Sequence, residues 1–94
     1  FYSKGFRMWI ILVYDVNEKR VAKVLKYLRR YLNWIQNSVF EGELTFAELQ
    51  KLKAGLKRLI KEQEDSVIIF SSSVSLDYKK EIIGLNKAEE AKVI

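Results

Sequence analysis

The 94 residues contain no cysteine and no histidine. The first absence excludes disulfides, thiolate zinc sites and cysteine nucleophiles. The second removes the imidazole general base and every triad built on it, so any catalysis must run on carboxylates, lysine, tyrosine or a metal-activated water. Long apolar runs are missing too: the longest, Met8 to Tyr14, is too short to cross a bilayer. The opening FYSKGFR carries a lysine and an arginine but no apolar stretch of signal-peptide length. These absences lead to the expectation of a soluble, cytoplasmic protein with no membrane partner.

What is present is 49% apolar content, enough for one compact domain and too little for two. Residues 1–7 precede the first patterned element and read as an N-terminal extension, leaving 8–94 as a single domain. A chain this short buries a limited share of its surface, so without disulfides a partner subunit becomes an expected source of stability.

MWIILVYDV (8–16) has no polar residue before Asp15 and reads as a central strand apolar on both faces. Asn17 is placed to cap a helix whose apolar stripe is Val21, Val24, Leu25, Leu28, Tyr31 and Leu32. NWIQNSVFEGEL (33–44) is β-like but interrupted at Asn37-Ser38 and Gly42, which fits two short strands or one kinked strand. Leu44-Thr45-x-x-Glu48-Leu49 is a capping box with a hydrophobic staple. The helix it opens buries Leu49, Leu52, Leu56, Leu59 and Ile60, carries Gly55 in mid-run, and is expected to end near Gln63. DSVIIFSSS (65–73) and YKKEIIGL (78–85) supply the last strands. This order specifies an α+β fold, a ferredoxin-like βαββαβ antiparallel sheet with a further C-terminal strand, and right-handed crossovers put both helices on one face.

The other sheet face is then uncovered, although the central strands are apolar on both sides. An exposed patch of that kind is larger than soluble monomers usually tolerate, so a sheet-to-sheet homodimer is expected. Asp15 falls on the same strand face as Trp9, Ile11 and Val13 and would stand close to where two subunits meet. Alone, an aspartate after a strand is equally a helix-entry residue. Paired by symmetry, two Asp15 carboxylates make a hard-oxygen site suited to Mg²⁺ (or Mn²⁺), able to activate water against a phosphodiester.

The second feature is charge. Residues 17–35 hold six Lys or Arg against Glu18, a net of +5 that equals the net charge of the whole chain. Lys19, Lys23, Lys26 and Arg30 line the helix opposite its apolar stripe, with Arg20 and Arg29 flanking. Such a stripe is either a solvated face or a phosphate-backbone contact with sequence-independent, salt-sensitive binding. Trp9, Trp34, Phe40 and Phe70 read as core or interface, since SVFEGELTF lacks the basic-Gly-aromatic pattern of base-stacking domains.

Tyr14-Asp15 closing an apolar strand, Arg20-Val21 on the helix, Ile35-Gln36-x-Ser38-Val39-Phe40-Glu41-Gly42, Gly55-Leu56 and Asp65-Ser66-Val67-Ile68-Ile69 together resemble the CRISPR-associated protein two family, over roughly residues 8–86. The resemblance implies a homodimer in which residues 78–94, strand and tail, cross to the partner's sheet. It implies an aspartate pair, Asp15 from each chain, as the divalent-metal site, and Tyr14 is expected beside Asp15 as a catalytic residue; Lys19, Arg20, Lys23, Lys26 and Arg30 of the basic helix are the expected nucleic-acid contacts. The implied function is CRISPR adaptation in antiviral defence: a Mg-dependent endonuclease on RNA or double-stranded DNA, and a DNA-bound bridge for the CRISPR-associated integrase subunit. Alternatives are a non-catalytic scaffold, a toxin-like ribonuclease of the same fold and a ligand-sensing regulatory domain. Where the family often carries an arginine before Ile-Gln, this chain has Trp34.

Overall fold

The computed structural model describes residues 7–72 and 78–86. The order is β1 (Met8–Asp15), α1 (Glu18–Leu28), β2 (Asn33–Gln36), β3 (Val39–Leu44), α2 (Phe46–Leu59), β4 (Ser66–Ser72) and β5 (Tyr78–Gly84). The five strands form one antiparallel-paired sheet in the order β2-β3-β1-β4-β5. The most apolar strand therefore sits in the middle, flanked on both sides by strands that come later in the chain.

Alternation along β1 divides its side chains cleanly. Ile10, Leu12 and Tyr14 point to the helices and are buried with Val24 and Leu28 of α1, Leu49, Leu52 and Leu56 of α2, Phe40 of β3, and Val67 and Ile69 of β4. Trp9, Ile11, Val13 and Asp15 point the other way and are exposed or half-exposed. The α1 stripe needs Leu32 as well, which continues it beyond the last helical turn. Both helices thus lie on one side of the sheet, and the opposite side is uncovered in the single chain.

The caps follow the sequence. Asn17 Oδ1 accepts from the Lys19 amide at the start of α1. At α2 the capping box is complete, with the Glu48 amide donating to Thr45 Oγ1 and the Thr45 amide donating to Glu48 Oε1. This second bond draws the Glu48 carboxyl below its ordinary range. The interruption in 33–44 is a two-residue turn between two strands, where Asn37 adopts a left-handed φ of 44°, a conformation asparagine tolerates better than most residues.

Two details go beyond the sequence expectation. Helix α2 ends at Leu59 and not near Gln63, because Asp65 captures the Lys61 amide and the chain turns there. Gly55, a weak residue for a helix interior, is buried where α2 meets α1: the Tyr27 ring lies over it, and a Cβ would collide with the Tyr27 hydroxyl. In the single chain β5 pairs along the edge of β4, where its backbone groups satisfy a ladder that would otherwise be left open.

Candidate nucleic-acid and metal site

Asp15 ends β1 with an exposed side chain on the uncovered face, opposite Ser66 of β4. Tyr14, one residue earlier, faces the helices. Its ring packs against Phe40 with centroids 6.1 Å apart, and its hydroxyl donates to the Asn37 carbonyl at 3.3 Å. The two residues expected to be catalytic therefore project to opposite sides of the sheet. In one chain the Tyr14 hydroxyl fastens the β2–β3 turn and does not meet the Asp15 carboxylate.

The chain on its own holds one carboxylate at this place, and among the described residues no group of three or more acidic side chains is arranged to hold a metal. One exposed carboxylate per protomer is a fit only for a cation that keeps most of its waters. Mg²⁺ is such a cation, commonly bound through one or two carboxylates. A second Asp15 from a partner would complete the set.

The basic stripe is presented as the spacing predicts. Lys19, Lys23, Lys26 and Arg30 are all exposed, with Arg29 beside them. Arg30 lies just past the end of α1, and its guanidinium carbon sits 5.7 Å from the centre of the Tyr27 ring. The same Tyr27 hydroxyl donates to the Lys51 carbonyl at 2.8 Å, and burial followed by the Tyr31 hydrogen bond pushes its pKa up to about 12.

Arg20 is placed differently from the rest of the group. Its Nε donates to Asp65 Oδ2 at 2.7 Å, and its Nη2 donates to Asp65 Oδ1 at 2.9 Å and to Glu64 Oε1 at 2.8 Å. Only 16% of its side chain is exposed. Its Nε and Nη2 donors serve the fold, a structural role that the spacing of the basic stripe does not announce. The bidentate geometry explains why an arginine is needed there.

Asp65 is the residue that sequence reasoning missed. It is fully buried and accepts from Arg20, from the Asn17 amide at 2.9 Å and from the Lys61 amide at 2.9 Å. The Arg20 bonds, aided by the two amides, hold its carboxyl well below the usual carboxylate range against the opposing cost of burial. Its carbonyl accepts from Leu85 at 2.9 Å, and Gly84, with φ 95°, passes so close to that carbonyl that a side chain could not be accommodated. One aspartate thus ties the β1–α1 junction, the loop after α2 and the end of β5 together. The sequence held a signal for it: an acidic residue directly before the apolar strand Val67–Phe70, in a segment otherwise read only as a strand start.

A family model described as CRISPR associated protein Cas2 matches residues 8–79. The chain belongs to this family. A Cas2 relative from Methanocaldococcus jannaschii, named CRISPR-associated endoribonuclease Cas2, is 54% identical over 80 residues, covering 85% of this chain and 70% of the relative. One of the same name from Thermotoga maritima is 51% identical over 83 residues, covering 88% of this chain and 95% of the relative. Among solved structures, a Cas2 crystal structure 54% identical superposes with a TM-score of 0.67 over 69% of this chain and 74% of that chain. Streptococcus pyogenes Cas2, 29% identical, does so with a TM-score of 0.59 over 92% of this chain and 95% of that chain. The Cas2 match takes in β1 with Asp15, α1 with its cations and β4 with Asp65. No helix among the described residues is long and apolar enough to cross a membrane.

Proposed function

We infer that this Cas2-family chain serves CRISPR adaptation as a homodimeric endonuclease that hydrolyses phosphodiester bonds, RNA foremost, as the names of its relatives indicate. The observation that carries the reading is the position of Asp15: an exposed carboxylate at the rim of an uncovered apolar sheet face, four residues before the first cation of the basic helix. Packing two such faces buries Trp9, Ile11, Val13, Ile68 and Phe70 and brings the two strand ends into one neighbourhood. A Mg²⁺ or Mn²⁺ ion held by the Asp15 pair would supply a water activated near neutral pH and a positive charge against the phosphate. Lys19, Lys23 and Lys26 steer the polyanion, and Asp65 with Arg20 fixes where α1 begins relative to Asp15.

A second reading is favoured by one specific observation. The Tyr14 hydroxyl is turned to the opposite face and engaged with the Asn37 carbonyl, so it is not the proton relay expected beside Asp15. That arrangement suits a scaffold that binds DNA and bridges integrase subunits without cutting. Wild type and Asp15→Ala, each assayed on RNA and on duplex DNA with Mg²⁺ and with EDTA, separate the two. The nuclease reading expects cleavage by wild type alone, lost on chelation. Equal cleavage by both proteins would take the activity away from Asp15, and none by either would leave the scaffold.

A further inference from the structure

Trp34 is not part of the core of this chain. It lies on β2, a four-residue edge strand whose side chains are all exposed, and 54% of its surface is open to solvent. It is nonetheless held in place. The indole Nε1 donates to the Asn37 carbonyl at 3.0 Å, the same carbonyl that takes the Tyr14 hydroxyl. The β2–β3 register shifts between Trp34 and Gln36, an irregularity of the kind that re-aims a side chain. The polar atom of the indole is therefore satisfied within the fold, and the ring is fixed at the surface. An ordered aromatic face in water is a preorganised stacking platform, because little conformational freedom remains to be lost on binding.

Its neighbourhood supplies the second component. Arg29 and Arg30, both exposed, occupy the turn that leads directly into β2. Four residues of chain limit the separation of the Arg30 and Trp34 Cα atoms to about 14 Å. Arg30 is itself steadied over Tyr27. A π-face with cations along one approach is the combination that holds single-stranded nucleic acid, whose bases can splay onto aromatics while its phosphates follow a basic track. A duplex offers no free base face at such a site.

We propose that Trp34 is a base-stacking residue: it takes one unpaired nucleobase of a single strand, while Arg29 and Arg30 hold the adjoining phosphates. This rests on the nucleic-acid reading above and adds to it a preference for unpaired over duplex substrate, located on the helix side of the sheet and away from Asp15.

The test uses the full chain as Trp9→Phe, which leaves Trp34 the sole indole, with and without Trp34→Ala and Trp34→Phe. Each is titrated with a single-stranded RNA of about 12 nucleotides, its duplex, and an abasic phosphodiester of the same length. Quenching of Trp34 fluorescence by the single strand only, a loss of at least about tenfold in single-strand affinity in Trp34→Ala, and partial retention by Trp34→Phe are the expected results. Duplex affinity should stay within about twofold of the parent, because phosphate contacts carry it. The proposal is overturned when the parent binds but Trp34→Ala loses nothing, or loses equally on duplex and abasic strands. It also falls when Trp34 emission ignores RNA and responds to a protein partner instead. Failure of the parent to bind any of the three polyanions, even at low salt, would sink the broader nucleic-acid reading together with this one, and so is told apart from failure of the stacking site alone. Should Trp34→Ala misfold, the comparison of Trp34→Phe with the abasic strand still decides.

Discussion

Asp15 and Asp65 are both aspartates at strand ends, in adjacent strands, and their surroundings give them opposite work. Asp15 is exposed at a rim where a cation and a phosphate can approach. Asp65 is enclosed by donors. Replacing Asp15 by asparagine keeps its shape and removes its charge. Nuclease activity should fall to background in that variant, while sedimentation and duplex affinity stay those of the parent, because dimer and binding rest on other residues; undiminished cleavage would reduce Asp15 to a helix-entry residue. Asp65→Asn should instead act on stability, since it leaves Arg20 and two amides facing a neutral partner. The expected loss is about 3 kcal/mol, read by urea unfolding at pH 7. The pH dependence has a definite sign. The folded-state carboxyl of Asp65 is depressed, so its contribution is complete above the ordinary aspartate range, near pH 4, and drains away as pH falls further toward the folded value. Wild type should therefore lose stability steeply below about pH 4. Asp65→Asn should show a shallower slope there; an unchanged slope would assign the acid sensitivity elsewhere.

The elements were largely legible in the chain because each carried its own punctuation. Asn17 and Thr45 with Glu48 announce both helix starts, and the unbroken apolar run in MWIILVYD announces a central strand, although both of its faces are apolar and only the helices decide which one is buried. What could not be read is what depends on residues far apart in sequence. Arg20 looks like one more cation of a basic helix until Asp65, 45 positions away, is seen beneath it. Tyr14 looks like the companion of Asp15 until strand geometry turns it to the other face. Trp34 looks as ready for the core as Phe40 until a short, irregular edge strand leaves it outside. Gly55 belongs to the same class: as a helix residue it is unfavourable by about 1 kcal/mol, and only the Tyr27 ring lying over it gives the reason. Gly55→Ala should thus destabilise by about 1–3 kcal/mol despite the better propensity, because overpacking between α1 and α2 outweighs it. A Tm equal to or above that of the parent would show that Tyr27 can swing aside.

At the scale of the whole molecule, two surfaces face in opposite directions: an apolar sheet face awaiting a second copy and a cationic helix face awaiting a polyanion. They should be separable. Lys23→Glu with Lys26→Glu should abolish most duplex affinity and flatten the linear fall of log K with log salt, while the dimer measured by sedimentation at low micromolar concentration is unchanged. A monomeric parent under those conditions would contradict the covered-face argument. The sheet order β2-β3-β1-β4-β5 has one more consequence, which concerns synthesis. The central strand is also made before every other strand of this sheet, yet the strands that border it are completed only at Leu44 and Ser72. At about 5–20 residues per second, the stretch from Asp15 to Ser72 takes on the order of 3 to 11 s to emerge. For that interval the nascent chain displays its most β-prone and water-averse segment with no neighbour on at least one edge. Every copy therefore begins its life as a client for whatever binds exposed strands, and crowding on a polysome brings like segments together before either can find its own sheet.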